Sequence, residues 1–153
     1  MEYFLTILSN NQSLDVFEMV FGIERKDKKP IDFNIEGIGC IPSIKVSDMP
    51  MFLNAVVNET GLCMYEYSGF SFGPITEAEK VWLEAGYVEI YVMDAKTILT
   101  NQDFFELSLE FAHKALEAVT WFDLKDKGLV DNIWINSIKE AIPKLEAKLK
   151  NMP

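Results

Sequence analysis

Residues 87–122 read YVEIYVMDAKTILTNQDFFELSLEFAHKALEAVTWF, and the change of period inside this stretch decides the fold class. Over residues 87–93, Val88, Ile90 and Val92 alternate with Tyr87, Glu89 and Tyr91, the two-residue period of a strand whose faces differ. From Thr100 or Asn101 to about Phe122 the period lengthens. Phe104, Phe105, Leu107, Leu109, Phe111, Ala112, Ala115, Leu116 and Val119 recur mostly three or four apart, and Asp103, Glu106, Glu110, His113 and Glu117 form the opposite stripe. A long amphipathic helix is predicted there, with its apolar side on a core.

Downstream, Gly128 breaks the chain and Asp131 or Asn132 can cap a last helix whose buried line is Trp134, Ile138, Ile142, Leu145 and Leu149. Pro143 lacks the N–H that a helix interior needs, so it is expected to kink that helix or end its first part. Upstream, residues 1–8 are apolar in both alternating rows and read as a central strand buried on two faces. Ser13 then reads as the cap of a short helix carrying Leu14, Phe17, Val20 and Phe21 and stopping at Gly22. Residues 24–30 are a mostly basic loop, and residues 31–46 predict two short strands or one bulged strand.

Ser47 and Asp48 before Pro50 open a second helix, with Phe52, Leu53, Val56 and Val57 on one face and a stop near Gly61. Residues 62–72 read as an aromatic strand. Thr76 and Glu79 have the spacing of a capping box, which predicts a helix to Ala85 with Gly86 as its stop. No Gly-rich strand-to-helix turn occurs, and the chain closes on a helical pair. These features predict one α+β domain over residues 1–153, with a mixed or antiparallel sheet of four to five strands packed against several helices.

The formal charge of −10 is uneven. Residues 54–123 carry 12 Asp/Glu against 3 Lys, a net −9, whereas residues 1–53 carry −3 and residues 124–153 carry +2. Such a field repels nucleic acid and anionic membrane and favours a basic protein partner. Cys40 and Cys63 lie in no CxxC or His-Cys cluster and read as buried small hydrophobes in a reducing compartment. The N-terminal residues lack the basic start of a secretory signal, and no apolar run reaches the length of a spanning helix, so a cytoplasmic location is expected.

A single histidine narrows the chemistry. Glu110 and His113 make one E-x-x-H step, but a two-metal bundle site needs a second such step, so an exposed helix pair is expected instead. Neither cysteine sits in a nucleophile motif, and the glycines make no phosphate-binding fingerprint. No catalytic residue, metal or cofactor is therefore predicted; a small enzyme built on Glu106, Glu110 and His113 is the least favoured alternative.

The segment 64–72 places Tyr65, Glu66 and Tyr67 beside Phe70 and Phe72, with one aromatic pair expected outside. This segment and the net −9 of residues 54–123 resemble, in general character, bacterial immunity proteins that accompany polymorphic or contact-dependent toxins. The resemblance implies an inhibitor of a cognate basic toxin domain, often a nuclease, which it blocks with acidic and aromatic side chains. The partner-binding residues expected on this reading are Glu59, Tyr65, Glu66, Tyr67, Glu77, Glu84, Glu89, Asp103, Glu106 and Glu110. The alternative is an adaptor or regulatory subunit of a stable complex, or a homodimer.

Overall fold

A computed structural model describes residues 1–7 and 20–152. Along the chain they form β1 (Tyr3–Ile7), β2 (Phe21–Arg25), α1 (Met49–Val57), β3 (Leu62–Tyr65), β4 (Ser68–Phe72), β5 (Ile75–Glu77), β6 (Lys80–Leu83), β7 (Tyr87–Val92), β8 (Ala95–Thr100), α2 (Asn101–Trp121) and α3 (Asn132–Lys150). Pairing among them is antiparallel throughout. A four-stranded sheet has the order β3-β4-β7-β8, and β1-β2 and β5-β6 are two-stranded ribbons. The fold is α+β and ends in the pair α2 and α3, which pack on each other.

Alternation on β7 sends Val88 and Ile90 into the core, where they meet Phe70 of β4 and Leu99 of β8 in one cluster. Met93 and Asp94 turn β7 into β8, Val92 pairing with Ala95 and Met93 taking a φ of 54°, the left-handed geometry that a tight hairpin requires. Helix α2 begins where β8 stops. The hydroxyl of Thr100 accepts the N–H of Asp103 at 3.1 Å and so satisfies one of the helix's free donors. Phe104 and Phe111 of α2 then close on Phe52 of α1, which also meets Phe70 edge-on at 5.5 Å.

Helix α3 starts on Asp131, whose carboxylate accepts the N–H of Trp134 at 2.8 Å. The Trp134 indole N–H donates to the carbonyl of Val46 at 2.7 Å inside the protein, and this ties α3 to the turn preceding α1. Pro143 lies within α3, which runs through it without ending. Pro143 and Lys139, whose carbonyl it deprives of a donor, are both exposed, so water can take the place of the lost bond.

Five expectations are corrected. First, β1 is not a central strand: among the described residues it pairs only with β2, and on its other side the Leu5 N–H donates to Glu110 Oε1 of α2 at 2.7 Å. Second, the helix expected from Ser13 falls mostly outside the described residues, and its last residues, Phe21 and Gly22, belong to β2, as do Glu24 and Arg25 from the expected loop.

Third, residues 31–46 form turns and two 3-10 segments, Gly37–Cys40 and Val46–Asp48, instead of strands. The cause is legible afterwards: Ile35, Ile38, Ile41 and Ile44 recur every three residues, the 3-10 period, and the N–H groups of Ile41 and Ile44 donate to the carbonyls three residues back. Fourth, residues 62–72 are a hairpin rather than one strand, because the chain reverses at Glu66 and Tyr67 between Tyr65 and Ser68.

Fifth, the helix expected from Thr76 to Ala85 is the ribbon β5-β6. Ala78 and Glu79 have φ of 50° and 65° between the paired Glu77 and Lys80, two consecutive left-handed residues that make a hairpin turn and not a helix. Val81 and Trp82 favour the strand as well. Strand β8, in a stretch for which the periodicity predicts no element, is a further addition.

Candidate functional site

Tyr87, Glu89 and Tyr91 occupy the face of β7 opposite its buried residues, and Lys96 and Ile98 occupy the matching face of β8. At the Tyr87 end of this outer face the β5-β6 ribbon comes alongside. Its position follows from Gly73, whose N–H donates to the Tyr87 carbonyl at 2.8 Å and whose Cα lies so close to the ribbon that an added Cβ would stand 1.9 Å from the Glu84 carbonyl oxygen. Leu83 is buried and anchors the ribbon, while Trp82 next to it points outward.

Between ribbon and sheet lies a cleft of about 210 Å³ lined by Trp82, Leu83, Glu84, Tyr87 and Ile98. Trp82 is 59 % exposed, Ile98 54 % and Tyr87 42 %, a grouping of large apolar side chains that a soluble surface ordinarily avoids. Charge around them is negative: residues 75–100 hold Glu77, Glu79, Glu84, Glu89 and Asp94 against Lys80 and Lys96. Glu89 is answered by Lys96 at 3.5 Å, whereas Glu77, Glu79 and Glu84 take part in no ion pair among the described residues.

The ten residues expected to bind a partner divide among separate places. Glu77, Glu84 and Glu89 belong to the ribbon and the outer face just described. Glu66 and Tyr67 form the exposed β3-β4 turn, where the Tyr67 hydroxyl donates to Glu66 at 2.9 Å, and the Tyr67 carbonyl accepts the N–H of Met93. On α2 the carboxylates have internal work: Glu110 holds β1, Asp103 faces the N-terminal ammonium at 3.6 Å, and Glu106 accepts from Gln102. Glu59 pairs with Lys148 of α3.

Tyr65 is half-buried, with its hydroxyl accepting the Lys45 N–H at 2.8 Å and donating to Asp48 at 3.0 Å. Sequence reasoning missed Trp82 and Ile98. The signal for Trp82 was the pair Val81-Trp82 after Lys80, masked by the apparent capping box, and that for Ile98 was the β-branched Thr97-Ile98 in the stretch before α2.

Burial, reinforced by the hydrogen bond to Asp48, pushes the Tyr65 hydroxyl from 10.0 up to about 12. Between those values the unfolded chain has lost this proton and the folded chain keeps it, so stability is intact below about pH 10 and falls as pH rises toward 12. Tyr65→Phe is expected to shallow the alkaline fall in denaturation midpoint by one proton's share; an unchanged slope counts against the buried hydroxyl.

Elsewhere the chemistry is sparse. A larger groove, about 480 Å³, is lined by Phe21, Ile23, Phe33, Pro42 and Val92. Its one carboxylate, Glu36, already accepts from Tyr3 and Arg25. Arg25 also meets Glu2 and Asp27, so the basic loop loses part of its charge internally. His113 is exposed on α2, and no group of three or more His, Cys, Asp or Glu among the described residues is placed to hold a metal ion. No helix among them is long and apolar enough to cross a membrane.

Only one of the two thiols expected to be buried is so: Cys40 is buried, which pushes it up to about 12, whereas Cys63 is exposed on β3, outside the core, with its Sγ 3.2 Å from the Tyr65 carbonyl. A thiol reagent is expected to label Cys63 in the native protein and Cys40 only after unfolding, since only the ionised, accessible sulfur reacts. Two equally fast thiols by mass spectrometry would contradict this arrangement. Compared with known protein families, with curated proteins and with solved structures, the chain matches none.

Proposed function

We propose that this chain is an acidic protein-binding module, and most specifically an immunity protein that binds and neutralises a cognate basic toxin domain. One observation carries the reading: the exposed cluster of Trp82, Tyr87 and Ile98 beside Glu77, Glu79 and Glu84, carboxylates that nothing among the described residues neutralises. Aromatic anchors supply affinity when a partner excludes water around them, and a rim of one charge sign steers a partner of the other sign and fixes its orientation. The ribbon and the outer face therefore form the docking surface in this proposal, with the Glu66-Tyr67 turn as a second contact at the far end of β7.

The test is co-expression with the C-terminal domain of a large secreted protein encoded immediately upstream of this chain, the absence of which would favour the adaptor. Restored growth is expected, together with a complex of the two purified proteins whose association slows as salt is raised. A complex that leaves the toxin active would make the chain an adaptor, and neither complex nor protection would remove the proposal.

A further inference from the structure

The cleft beside β6, about 210 Å³, is lined by three kinds of residue: the aromatic Trp82 and Tyr87, the aliphatic Leu83 and Ile98, and Glu84, an exposed acid. That Trp82 draws in a cation is already visible, since Lys80 Nζ stands 4.6 Å from its ring centroid. Lys80 has no carboxylate partner among the described residues, and Glu84 has no cation, so ring and carboxylate are not yet served by one group. A guanidinium fits both. It is planar and weakly hydrated, stacks its face on an aromatic ring, and points N–H donors from its edge at a carboxylate; an ammonium is compact, holds its water, and gains less from the ring.

We propose that this cleft seats an arginine side chain projecting from the protein partner, and that this arginine anchors docking on the outer face. The assignment rests on reading the chain as a protein-binding module and names the chemistry that module recognises. A second copy of the chain is a poor occupant, because Glu77, Glu79 and Glu84 of each copy would be brought toward those of the other.

The full-length protein, isotopically labelled, is titrated with a capped arginine-glycine-arginine peptide and separately with its lysine counterpart, following the indole N–H resonance of Trp82. The arginine peptide is expected to give a saturable shift, and the lysine peptide to bind about fivefold or more weakly. Glu84→Gln, which keeps Trp82 as reporter and alters an exposed side chain, is expected to abolish saturation, whereas Glu146→Gln, at an exposed carboxylate on α3, leaves it unchanged.

Absence of a saturable shift, equal response to both peptides, or unaltered binding by Glu84→Gln overturns the proposal. Self-association that Trp82→Ala abolishes would overturn it in favour of a second copy. If toxin neutralisation holds while the arginine peptide fails to seat, the pocket falls and the functional reading stands. If the peptide seats and neutralisation fails, the pocket stands without the toxin reading.

Discussion

Phe52→Ala is expected to lower stability by about 3–5 kcal/mol, the range for removing a fully buried phenylalanine. Phe52 is wholly inaccessible and is the ring through which α1 touches both the sheet and α2: Phe70 at 5.5 Å, Phe104 at 6.3 Å and Phe111 at 4.9 Å. Alanine there forfeits the transfer energy of the ring and its aromatic contacts, and leaves a cavity that three elements would have to collapse together to fill. Urea denaturation should show a lower midpoint with an unchanged slope, since the native state keeps its extent of burial. Phe33→Ala, at a ring 54 % exposed, should change stability by no more than about 0.5 kcal/mol. A loss under about 1 kcal/mol from Phe52→Ala would mean that α1 is not held to the sheet through this ring.

What the sequence discloses of this fold depends on how many residues share one period. Helix α2 has twenty-one residues of consistent spacing with a capping threonine, and its extent is readable to within a residue or two. Helix α1 is shorter but carries Asp48 and Pro50 at its start, and the same rules place it. Residues 75–83 offer only two short strands, and there local signals conflict. Thr76 and Glu79 match a capping box, yet the chain gains more by pairing Glu77 with Lys80 and burying Leu83 beside the sheet, even with Ala78 and Glu79 in left-handed conformations. Tertiary contacts decide such a segment, and a single-residue period cannot report them.

The candidate site inherits this limit. Glu77, Glu84 and Glu89 are readable as part of an acidic stretch, and Tyr87 as the outward row of β7, because charge and alternation are local properties. That Trp82 and Ile98 join them follows only from the pairing of β8 with β7 and from the position of the ribbon, both set by residues distant in sequence. The same distance effect works in reverse on α2. Glu110 and Asp103 look like free acids on a polar stripe until the fold lays β1 and the N-terminal ammonium against them.

Gly73→Ala should separate the docking surface from the core beneath it. Alanine at this position puts a methyl carbon 1.9 Å from the Glu84 carbonyl oxygen and 2.7 Å from the Glu84 carbonyl carbon, both backbone atoms, so no side-chain rotation relieves the clash. The ribbon has to move away from β7, stretching the bond from the Gly73 N–H to the Tyr87 carbonyl and pulling Leu83 from its seat.

Overpacking of this kind costs about 1–3 kcal/mol, and the hydrogen bond adds about 1 kcal/mol if it is lost. Gly86→Ala, whose Cβ meets nothing within 4 Å, bears only the strain of its φ of +87° and should cost about 1–2 kcal/mol. The diagnostic result is spatial: in Gly73→Ala the amide exchange of β5-β6 should accelerate by more than that of β7 or α2, and the Trp82 indole resonance should shift while that of Trp134, held by the Val46 carbonyl, stays in place. Equal acceleration everywhere would show that ribbon and sheet unfold as one unit and that the cleft is as firmly built as the core.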